Sequence, residues 1–425
     1  MDETCEAFSM IRRIQTATDP TTLAIVLAGG NGSRLGNLTA DECKPALSFG
    51  GHYRNIDFAL SNCVNSGVRR IGVLTQYKAH SLIEHIATGW NWLPRTLGEF
   101  VEIWPAQQRS RSGHYRGTAH AVVENVESIS DDPAEQLLVL AGDHIYKMDY
   151  RPMLAQHRCS GADITVACVP VPLAEASQLG VVVTDGQQKA IDFIEKPQVV
   201  PVAAIQSGQV LASMGIYVIS RQFLLNQMCR EAQLPDSEFD FGRHVLPSAV
   251  AEGRVSVYTF KDVHGQMQYW RDIGTLDACW AAHMDLLQAA PPINLNDPDW
   301  PVMTANIALS PSRVLAASLQ DGSVTNSLLG AGTVVDNARL DRTVLAHGSS
   351  VGKGSSLDEC VILPGARIGE HCKLRRVIVG AGTVVDDGTR LVSTEDAAMR
   401  GLKISANGIT LLTRHCPTMT ARAVA

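Results

Sequence analysis

Three glycines and two basic residues have the types and spacing of a phosphate-binding site. The glycines follow a short apolar run, and they are Gly29, Gly30 and Gly32. A glycine has no Cβ atom, so backbone N–H groups around it can come close to a ligand and point at it. Arg34 and Lys44 add two positive charges beside this turn. The sequence therefore predicts a site for a polyphosphate.

The spacing differs from that of two common phosphate-binding motifs. A P-loop requires Gly-Lys-Ser or Gly-Lys-Thr, and the dinucleotide fingerprint requires Gly-x-Gly-x-x-Gly at the start of a helix. This chain has Gly-Gly-x-Gly-x-Arg-Leu and a later Lys-Pro. Glycine-rich turns also occur without a ligand, so solvated loop cations are the alternative interpretation of Arg34 and Lys44.

A carboxylate follows a second apolar run, because Asp143 comes just after residues 137–141. Ligands of open α/β sheets bind at the carboxyl ends of the strands. We therefore expect Asp143 and the glycine-rich turn to face one crevice. The alternative is that Asp143 caps a helix after the strand.

Between residues 23 and 288, apolar runs alternate with helical patterns, which predicts an α/β sheet with helices on both faces. The predicted strands are 23–27, 71–75, 100–104, 137–141, 162–168, 180–184, 190–194 and 212–218. The predicted helices are 58–66, 79–88 and 221–231. A polar, arginine-containing loop at 107–116 precedes another helix. The sequence thus divides into an N-terminal tail (1–20), an α/β domain (21–290), a proline-rich linker (291–322) and a repeat domain with a C-terminal tail (323–425).

The repeat consists of four blocks of 17 residues that begin at 326, 343, 360 and 377. The aliphatic positions are Leu328, Leu345, Ile362 and Val379; Val334, Val351, Ile368 and Val385; and Leu340, Leu357, Leu374 and Leu391. Steps of six, six and five residues are close to the hexapeptide period of a parallel β-helix. We therefore predict a left-handed β-helix with these side chains inside. Such helices also occur in acyltransferases, which gives an alternative function.

Composition excludes several classes of protein. The chain has 425 residues, of which 45% are hydrophobic, a net charge of −7 and no dense basic run, so we expect no nucleic-acid partner. No apolar run approaches about 18 residues, and the N-terminus lacks a signal pattern. Ten cysteines without a Cys-x-x-Cys pair indicate free thiols in a reducing cytoplasm and no structural zinc. We expect a cytoplasmic protein without a membrane partner.

Longer motifs then identify a family. They lie at residues 56–62, 115–119, 141–146, 193–197, 212–217 and 269–275, the last of which reads Tyr-Trp-Arg-Asp-Ile-Gly-Thr. With the glycine-rich turn, they resemble the bacterial glucose-1-phosphate adenylyltransferases (ADP-glucose pyrophosphorylases) from about residue 23 to residue 413. The resemblance implies a Rossmann-like, mixed-sheet, glycosyltransferase-A-like domain before the β-helix. It also implies transfer of the adenylyl group of ATP to glucose 1-phosphate, with Mg²⁺, for glycogen synthesis.

The resemblance assigns roles to individual residues. The catalytic residues are Arg34, Lys44, Asp143 and Asp272, and the two aspartates hold the metal. The glucose 1-phosphate residues are Tyr115, Gly180, Glu195, Lys196, Ser213, Tyr217, Asp240, Phe241 and Trp270. The nucleotide residues are Leu27, Ala28, Gly29, Gly30, Gly32, Arg34, Lys44, Gln76, Gly117 and Thr118. The alternatives are a surface salt bridge between Asp272 and Arg271, and a solvated strand end for Lys196.

Several positions depart from the family pattern. Asn31 replaces a common Arg, and His120 and His244 each replace an acid. Asp41 and Glu42 stand where relatives have two basic residues. Relatives that respond to fructose 1,6-bisphosphate are thought to use that basic pair, so the change should disfavour a doubly phosphorylated effector.

The resemblance further implies a sugar-phosphate or nucleotide effector and a homotetramer. Arg12, Arg13 and Arg54 remain as possible anion contacts. Two alternatives stay within the family: transfer from another nucleoside triphosphate to a sugar phosphate, and a non-catalytic regulatory subunit.

Overall fold

The computed structural model describes residues 18–30, 32–106, 115, 117–186, 188–233, 240–262, 264–315 and 322–416. Four features of the sequence interpretation lie outside these residues. They are most of the N-terminal tail with Arg12 and Arg13, the Asn31 departure, most of the arginine-containing loop, and the C-terminal tail after residue 416.

The first 14 strands of the described chain belong to the α/β domain. They are β1 (Thr22–Ala28), β2 (Ser48–Phe49), β3 (Tyr53–Arg54), β4 (Arg70–Thr75), β5 (Phe100–Pro105), β6 (Gln136–Ala141), β7 (His144–Tyr146), β8 (Ile164–Pro172), β9 (Gly180–Thr184), β10 (Ala190–Glu195), β11 (Ile205–Gln206), β12 (Gln209–Ser220), β13 (Val255–Thr259) and β14 (Trp270–Asp272).

Nine α-helices are described. They are α1 (Asn55–Asn65), α2 (His80–Gly89), α3 (Thr118–Glu124), α4 (Val126–Asp131), α5 (Arg151–Ser160), α6 (Arg221–Gln233), α7 (Leu246–Ala251), α8 (Leu276–Asp285) and α9 (Thr394–Met399).

Ten of these strands form one mixed sheet, with the order β10-β9-β12-β6-β1-β4-β5 along its main path. Strands β6, β1, β4 and β5 are parallel, whereas β12 runs antiparallel to β6 and β8. Alternate residues of β1 enter two different apolar clusters, one on each face of the sheet. A continuous apolar run is therefore buried on both sides, as a central parallel strand requires. The prediction of a mixed α/β sheet is confirmed.

Strand β12 is irregular between two of the residues that the resemblance assigns to glucose 1-phosphate. Its register against β8 shifts between Ser213 and Tyr217, and Gly215 inside the shift has a φ of 67°. Only glycine adopts this conformation without steric cost. On one edge, β12 pairs with β9 before the shift and with β6 after it, while β8 pairs with it on both sides of the shift.

The proline-rich segment after α8 packs along α1. The indole N–H of Trp300 donates to Asn62 Oδ1 at 2.9 Å, and Asn65 Nδ2 donates to the carbonyl of Pro301 at 2.9 Å. The backbone N–H of Met303 donates to Ser61 Oγ at 2.8 Å. The polar side chains of α1 are thereby satisfied by a segment without regular structure.

Residues 313–315 and 322–412 form a β-helix with three faces, in which every described strand pair is parallel except β29 with β30. The first face contains β15 (Arg313–Leu315), β18 (Val334–Asp336), β21 (Ser350–Val351), β24 (Arg367–Ile368) and β27 (Val384–Val385). The second contains β16 (Ser323–Thr325), β19 (Arg339–Asp341), β22 (Ser356–Asp358), β25 (Lys373–Arg375) and β28 (Arg390–Leu391). The third contains β17 (Leu328–Leu329), β20 (Val344–Leu345), β23 (Val361–Ile362), β26 (Val377–Val379), β29 (Lys403–Ile404) and β30 (Thr410–Leu412).

Two of the predicted interior positions of the β-helix are wrong by one residue. Leu329 pairs with Leu345 and Val335 with Val351, so Leu328 and Val334 are not the equivalents of those residues. Val335 is fully buried in the β-helix core, whereas Leu328 packs on the cluster shared with the α/β domain. The steps from Leu329 to Leu345 and from Val335 to Val351 are 16 residues, whereas the next steps at both places are 17. An aliphatic residue also precedes Leu329 and Val335, and the 17-residue repeat selects it instead. The other predicted interior positions are buried.

The β-helix and the α/β domain share a buried apolar cluster. Leu35, Phe49 and Phe58 come from the α/β domain, and Val361 and Leu411 from the β-helix. Burial of apolar surface fixes one domain against the other. Across the described part of the chain, no helix combines the length and the apolar character needed to cross a membrane.

Candidate active site

The glycine-rich turn closes on itself after β1. Gly32 has a left-handed φ of 59°, and a Cβ atom there would lie 2.9 Å from the Cγ2 atom of Thr39. The hydroxyl of Thr39 donates to the carbonyl of Gly32 at 3.1 Å and to that of Gly36 at 3.2 Å. Only a glycine fits this closed turn, which explains one glycine of the motif without any ligand.

Lys44 lies at the bottom of the crevice, in a short 3₁₀ turn before α1. The amide of Asn55, which is fully buried, donates to the carbonyl of Lys44 at 2.8 Å and fixes its backbone. The Lys44 side chain is 7% exposed, and Nζ donates to Asp143 Oδ2 at 2.8 Å and to Asp272 Oδ1 at 2.5 Å. A lysine and two carboxylates thus form one cluster of charge-assisted hydrogen bonds.

A two-stranded sheet brings the two carboxylates together. Strands β7 and β14 pair antiparallel, with His144 opposite Asp272, so Asp143 lies beside the end of β14. Both alternative interpretations of these aspartates are wrong. A strand rather than a helix follows Asp143, and Arg271 pairs with Asp285 at 3.3 Å.

The charges in this cluster stabilise one another. Burial acts to raise the pKa of Asp143, but the charges of Lys44 and His144 outweigh it and lower that pKa to about 2. Burial acts to lower the pKa of Lys44, and the two carboxylates outweigh it and raise that pKa. The lysine therefore stays cationic and Asp143 stays ionised at neutral pH.

Arg34 reaches the same cluster from the glycine-rich side. Its Nη2 atom lies 3.9 Å from Asp272 Oδ2, and Nη1 donates to Gln178 Oε1 at 3.3 Å. Half of the side chain is exposed to the cleft. A guanidinium in this place can contact a phosphate that enters beside the turn.

Glu195 ends β10 and Lys196 follows it, and both line the cleft. Lys196 has a left-handed φ of 48°, which is uncommon for a residue with a side chain, and its N–H donates to the carbonyl of Leu179 at 3.1 Å. Its ammonium group is hydrogen-bonded to Glu195 and is about half exposed. The carboxylate of Glu195 lies against Gly242, where a Cβ atom would be 2.5 Å from Oε2. The left-handed backbone holds an exposed cation over the cleft.

The far wall is built by the start of a π-helical turn, Phe241–Val245. Asp240 caps this turn by accepting hydrogen bonds from the N–H groups of Gly242 and Arg243. Thr118, at the start of α3, accepts from the N–H of Phe241 at 3.0 Å. The Phe241 ring stacks on Tyr217 with centroids 5.8 Å apart. An apolar wall with polar groups on its rim results.

These residues enclose a cleft of about 300 Å³. Among the predicted site residues, the cleft is lined by Leu27, Arg34, Thr118, Asp143, Gly180, Glu195, Lys196, Ser213, Tyr217, Asp240, Phe241, Trp270 and Asp272. Its walls do not include Lys44, Tyr115, Ala28, Gly29, Gly30, Gly32, Gln76 or Gly117. Of these, Lys44 supports the cleft from beneath by holding the two aspartates.

Gln76 and Tyr115 lie together behind the glycine-rich turn. A Cβ atom on Gly29 would lie 3.3 Å from Gln76 Oε1, and Gln76 Nε2 donates to the carbonyl of Tyr115 at 3.4 Å. The hydroxyl of Tyr115 accepts from Asn125 Nδ2 at 3.1 Å. Tyr115 is thus next to a predicted nucleotide residue, whereas the resemblance assigns it to the sugar.

Sequence reasoning missed six residues that line the cleft: Ala141, His144, Gln178, Leu179, Gly215 and Gly242. His144 is the most informative, because its ligand atom and those of Asp143 and Asp272 all lie within 4.8 Å of one another. Its ring packs edge-on against Trp270, with centroids 5.1 Å apart. His144 lies inside the motif at residues 141–146, so the sequence did contain a signal. Gln178 lies in none of the sequence motifs.

Two of the departures from the family pattern lie close to the cleft. His120 is buried on α3, 3.5 Å from Glu124 Oε1, and its ring packs edge-on against Tyr115. His244 is in the π-helical turn, where its N–H donates to the carbonyl of Asp240 at 3.0 Å. His120 therefore lies behind Tyr115 and His244 lies in the turn that forms the far wall, so neither belongs to the charge cluster.

Two protein-family models match the chain. The family model for nucleotidyl transferases matches residues 23–289, and a GlmU-like C-terminal hexapeptide model matches residues 310–412. A glucose-1-phosphate adenylyltransferase 2 of Alkalilimnicola ehrlichii is 44% identical over 394 residues, which cover 92% of this chain and 93% of the relative.

The chain belongs to the nucleotidyl transferase family.

Other similar proteins carry the same name. The glucose-1-phosphate adenylyltransferase of Methylobacillus flagellatus is 44% identical over 410 residues, which cover 95% of this chain and 96% of the relative. That of Teredinibacter turnerae is 42% identical, with 93% and 94% covered. The predicted resemblance to bacterial glucose-1-phosphate adenylyltransferases is confirmed, as is the prediction of a hexapeptide β-helix after the mixed-sheet domain.

Nucleotidyl transferases generally use a divalent metal, and the cleft has suitable ligands for one. Asp143 and Asp272 offer carboxylate oxygens, the ligands that hard cations such as Mg²⁺ prefer, and His144 offers a nitrogen. Lys44 holds both carboxylates towards one point. The donor set therefore fits a divalent cation.

Proposed function

We propose that this chain transfers the adenylyl group of ATP to α-D-glucose 1-phosphate, producing ADP-glucose and pyrophosphate. The observation that carries the proposal is the convergence of Asp143 and Asp272 on Lys44, with Arg34 on one side of the cleft and Lys196 on the other. Two substrates that each carry phosphate need a positively charged group on each side of the cleft, with the two aspartates between them. Relatives named for this activity, at more than 40% identity over nearly the whole chain, support the same substrates.

In the proposed reaction, a phosphate oxygen of glucose 1-phosphate forms a bond to the α-phosphorus of ATP. The bond from that phosphorus to the β-phosphate oxygen breaks, and pyrophosphate leaves with the electron pair. The sugar phosphate is already an anionic nucleophile, so no general base is required. Positioning and neutralisation of charge then supply most of the rate enhancement.

Each cation of the cleft has a distinct proposed task. Arg34 contacts the triphosphate beside the glycine-rich turn, and Lys44 orients both aspartates from below. Lys196 binds the phosphate of glucose 1-phosphate, and Glu195 accepts hydrogen bonds from sugar hydroxyls. Asp143 and Asp272 would hold Mg²⁺, which neutralises charge on the triphosphate and on the leaving pyrophosphate when it is bound.

The remaining predicted residues complete the two subsites. Tyr217, Phe241 and Trp270 form the apolar wall against which a pyranose ring can pack, with Ser213 and Asp240 at its polar edge. Trp270 Nε1 is buried and has no hydrogen-bond partner among the described residues, so it is free to donate to a substrate. Gln76 and the backbone near Thr118 are proposed to contact the adenine.

The test supplies labelled glucose 1-phosphate with ATP, UTP, CTP or dTTP and resolves the products. We expect ADP-glucose from ATP at the highest kcat/KM, and no product without a divalent metal. A higher kcat/KM with another nucleotide would assign the chain to a different sugar nucleotide. No product with any nucleotide, from protein that still binds ATP in calorimetry, would indicate a regulatory subunit. Asp272→Asn is the matched inactive control.

We also propose a regulated homotetramer in the cytoplasm, with the catalytic domain at 21–290, a linker at 291–322 and the β-helix from 323. The cytoplasm supplies both substrates, and the described cysteines are free thiols. A second cleft of about 280 Å³ lies between the two domains, and it is lined in part by Glu42, Arg54 and His347. We propose that a sugar monophosphate or nucleotide effector binds there. Light scattering should give four times the 45.8 kDa chain mass.

A further inference from the structure

A lysine of the β-helix reaches the nucleotide turn of the other domain. Lys403, on β29, donates from Nζ to the carbonyl of Arg34 at 3.3 Å. Its ammonium group lies over Gly36, where a Cβ atom would be only 2.6 Å from Nζ. Gly36 interrupts the turn with a left-handed φ of 63°. The lysine can pack on the turn because this residue has no side chain.

A serine two residues later holds the segment that carries Asp272. The hydroxyl of Ser405 donates to Asp277 Oδ1, in the first turn of α8, five residues after Asp272. The Ser405 oxygen also accepts from the N–H of Ile409 at 2.9 Å, which fixes the hydroxyl in its own hairpin. One short hairpin therefore contacts both the Arg34 turn and the Asp272 segment.

The hairpin is firmly attached to the β-helix. Strand β30 pairs in parallel with β26, and Arg376 Nη2 donates to the carbonyl of Asn407 at 3.0 Å. The Arg376 guanidinium lies 4.8 Å from the centre of the Trp280 ring on α8, and the Trp280 N–H donates to the carbonyl of Glu359 at 2.8 Å. The hairpin and α8 are thus held against the same rigid surface.

We propose that the hairpin 403–412 is a positioning element of the active site, in which Lys403 fixes Arg34 and Ser405 fixes the Asp272 segment. The hairpin sets the separation between the cation that contacts the triphosphate and the carboxylate that would hold its metal. Lys403 donates to the backbone carbonyl of Arg34 and acts on the substrate through that residue. This inference rests on the proposed adenylyl transfer, because it assigns a role to the nucleotide side of that cleft.

The test compares Lys403→Met, Lys403→Arg and Ser405→Ala, with Lys373→Met as the matched control. Lys373 is an exposed lysine on β25 of the same β-helix. We expect Lys403→Met to raise KM for ATP roughly fivefold to tenfold and to leave KM for glucose 1-phosphate within twofold, because one charged hydrogen bond to the turn is lost. Lys403→Arg should restore most of the affinity for ATP. Ser405→Ala should lower kcat more than it raises either KM.

Two further measurements separate positioning from stability and from the proposed reaction. Amide hydrogen exchange of residues 33–39 should speed up in Lys403→Met and stay unchanged in Lys373→Met, whatever the reaction is. If Lys403→Met lowers the melting temperature but leaves KM for ATP and exchange in the turn unchanged, the lysine only docks the domains and the proposal is overturned. Absence of ADP-glucose from the unmodified chain would instead refute the proposed function, while the exchange result would still test the positioning role.

Discussion

The cleft of the α/β domain and the interior of the β-helix are built on opposite plans. In the β-helix, aliphatic side chains stack on their equivalents in the next coil, so each position does the same task as its neighbours. In the cleft, side chains of unlike chemistry come from distant segments, and Lys44 meets Asp272 across 228 residues of sequence. A repeated plan distributes its stability over many positions. In the cleft, no neighbouring residue can take over the role of a charged side chain that is lost.

The difference predicts how substitutions act in the two regions. A change among the charged residues that line the cleft should alter catalysis strongly and stability little, because Arg34, Lys196 and the two aspartates are partly exposed. A change in the β-helix core should do the reverse, because its side chains are buried far from the reacting atoms.

Replacement of Asp143 by Asn should have the largest effect. The substitution keeps the shape but removes the charge paired with Lys44 and available to a metal. We expect kcat to fall by about 10²-fold or more, the order of magnitude for loss of a preorganised electrostatic group. Asp149→Asn, which removes a surface carboxylate paired with Arg151, is the control and should keep full activity. A kcat within threefold of the parent would exclude Asp143 from the reaction.

Replacement of Lys196 by Gln should affect one substrate only. The proposed contact is a charge-assisted hydrogen bond to the phosphate of glucose 1-phosphate, worth about 1.5–3 kcal/mol. Because the side chain is half exposed, we expect the lower end, which is roughly a tenfold rise in KM for glucose 1-phosphate. Lys189→Gln is the control, because Lys189 is exposed and immediately precedes β10. It should leave both KM values unchanged. A parallel rise in KM for ATP would place Lys196 on the shared phosphate path.

Replacement of Leu357 by Ala should change stability and leave catalysis almost unaltered. This side chain is 1% exposed in the β-helix core, so its truncation creates a cavity that costs about 2–5 kcal/mol. We expect a melting temperature several degrees lower. The kcat per folded molecule should stay within twofold. The exposed Leu97, truncated in the same way, should change neither quantity. A tenfold loss of kcat in Leu357→Ala would break the division between the two regions.

The two regions also differ in how far the sequence predicts them. The β-helix follows from periodicity alone, and its register failed only where Leu328 and Leu329, or Val334 and Val335, offered adjacent aliphatic choices. Which of two adjacent aliphatic residues points inward depends on the pairing with the next coil, and the sequence of a single coil does not show that pairing.

The cleft was predicted through motifs rather than through periodicity. The motifs named both aspartates, but no spacing shows that Lys44 holds them together or that His144 lies opposite Asp272. Gln178 reaches Arg34 from a short 3₁₀ turn that carries no motif at all. Contacts between segments far apart in sequence depend on the sheet order, which local patterns do not contain.

The smallest expected effect concerns the boundary between the two regions, where Asp41 and Glu42 replace a basic pair. Asp41 Oδ2 lies 2.9 Å from Arg414 Nη2 and 2.5 Å from His415 Nε2, and Glu42 lies 3.7 Å from Arg54 Nη1. The chain's own carboxylates thus occupy cations that an anionic effector would need. A sugar bisphosphate carries roughly four negative charges, and each close like-charge pair costs about 1 kcal/mol at 4 Å even in water.

We therefore expect fructose 1,6-bisphosphate to change the initial rate less than twofold at subsaturating substrate, up to millimolar concentration. Glucose 6-phosphate or fructose 6-phosphate, with half the charge, should activate more. Asp41→Lys with Glu42→Arg should create sensitivity to the bisphosphate. Asp41→Asn with Glu42→Gln is the matched control, because it removes the carboxylates without adding cations. If the Asn/Gln variant is activated by the bisphosphate as strongly as the Lys/Arg variant, repulsion by the two carboxylates alone blocks the effector. If only the Lys/Arg variant is activated, positively charged side chains at these two positions are required. Tenfold activation of the unmodified chain by micromolar bisphosphate would show that the effector binds elsewhere, and that the boundary between cleft and β-helix does not control catalysis through these two carboxylates.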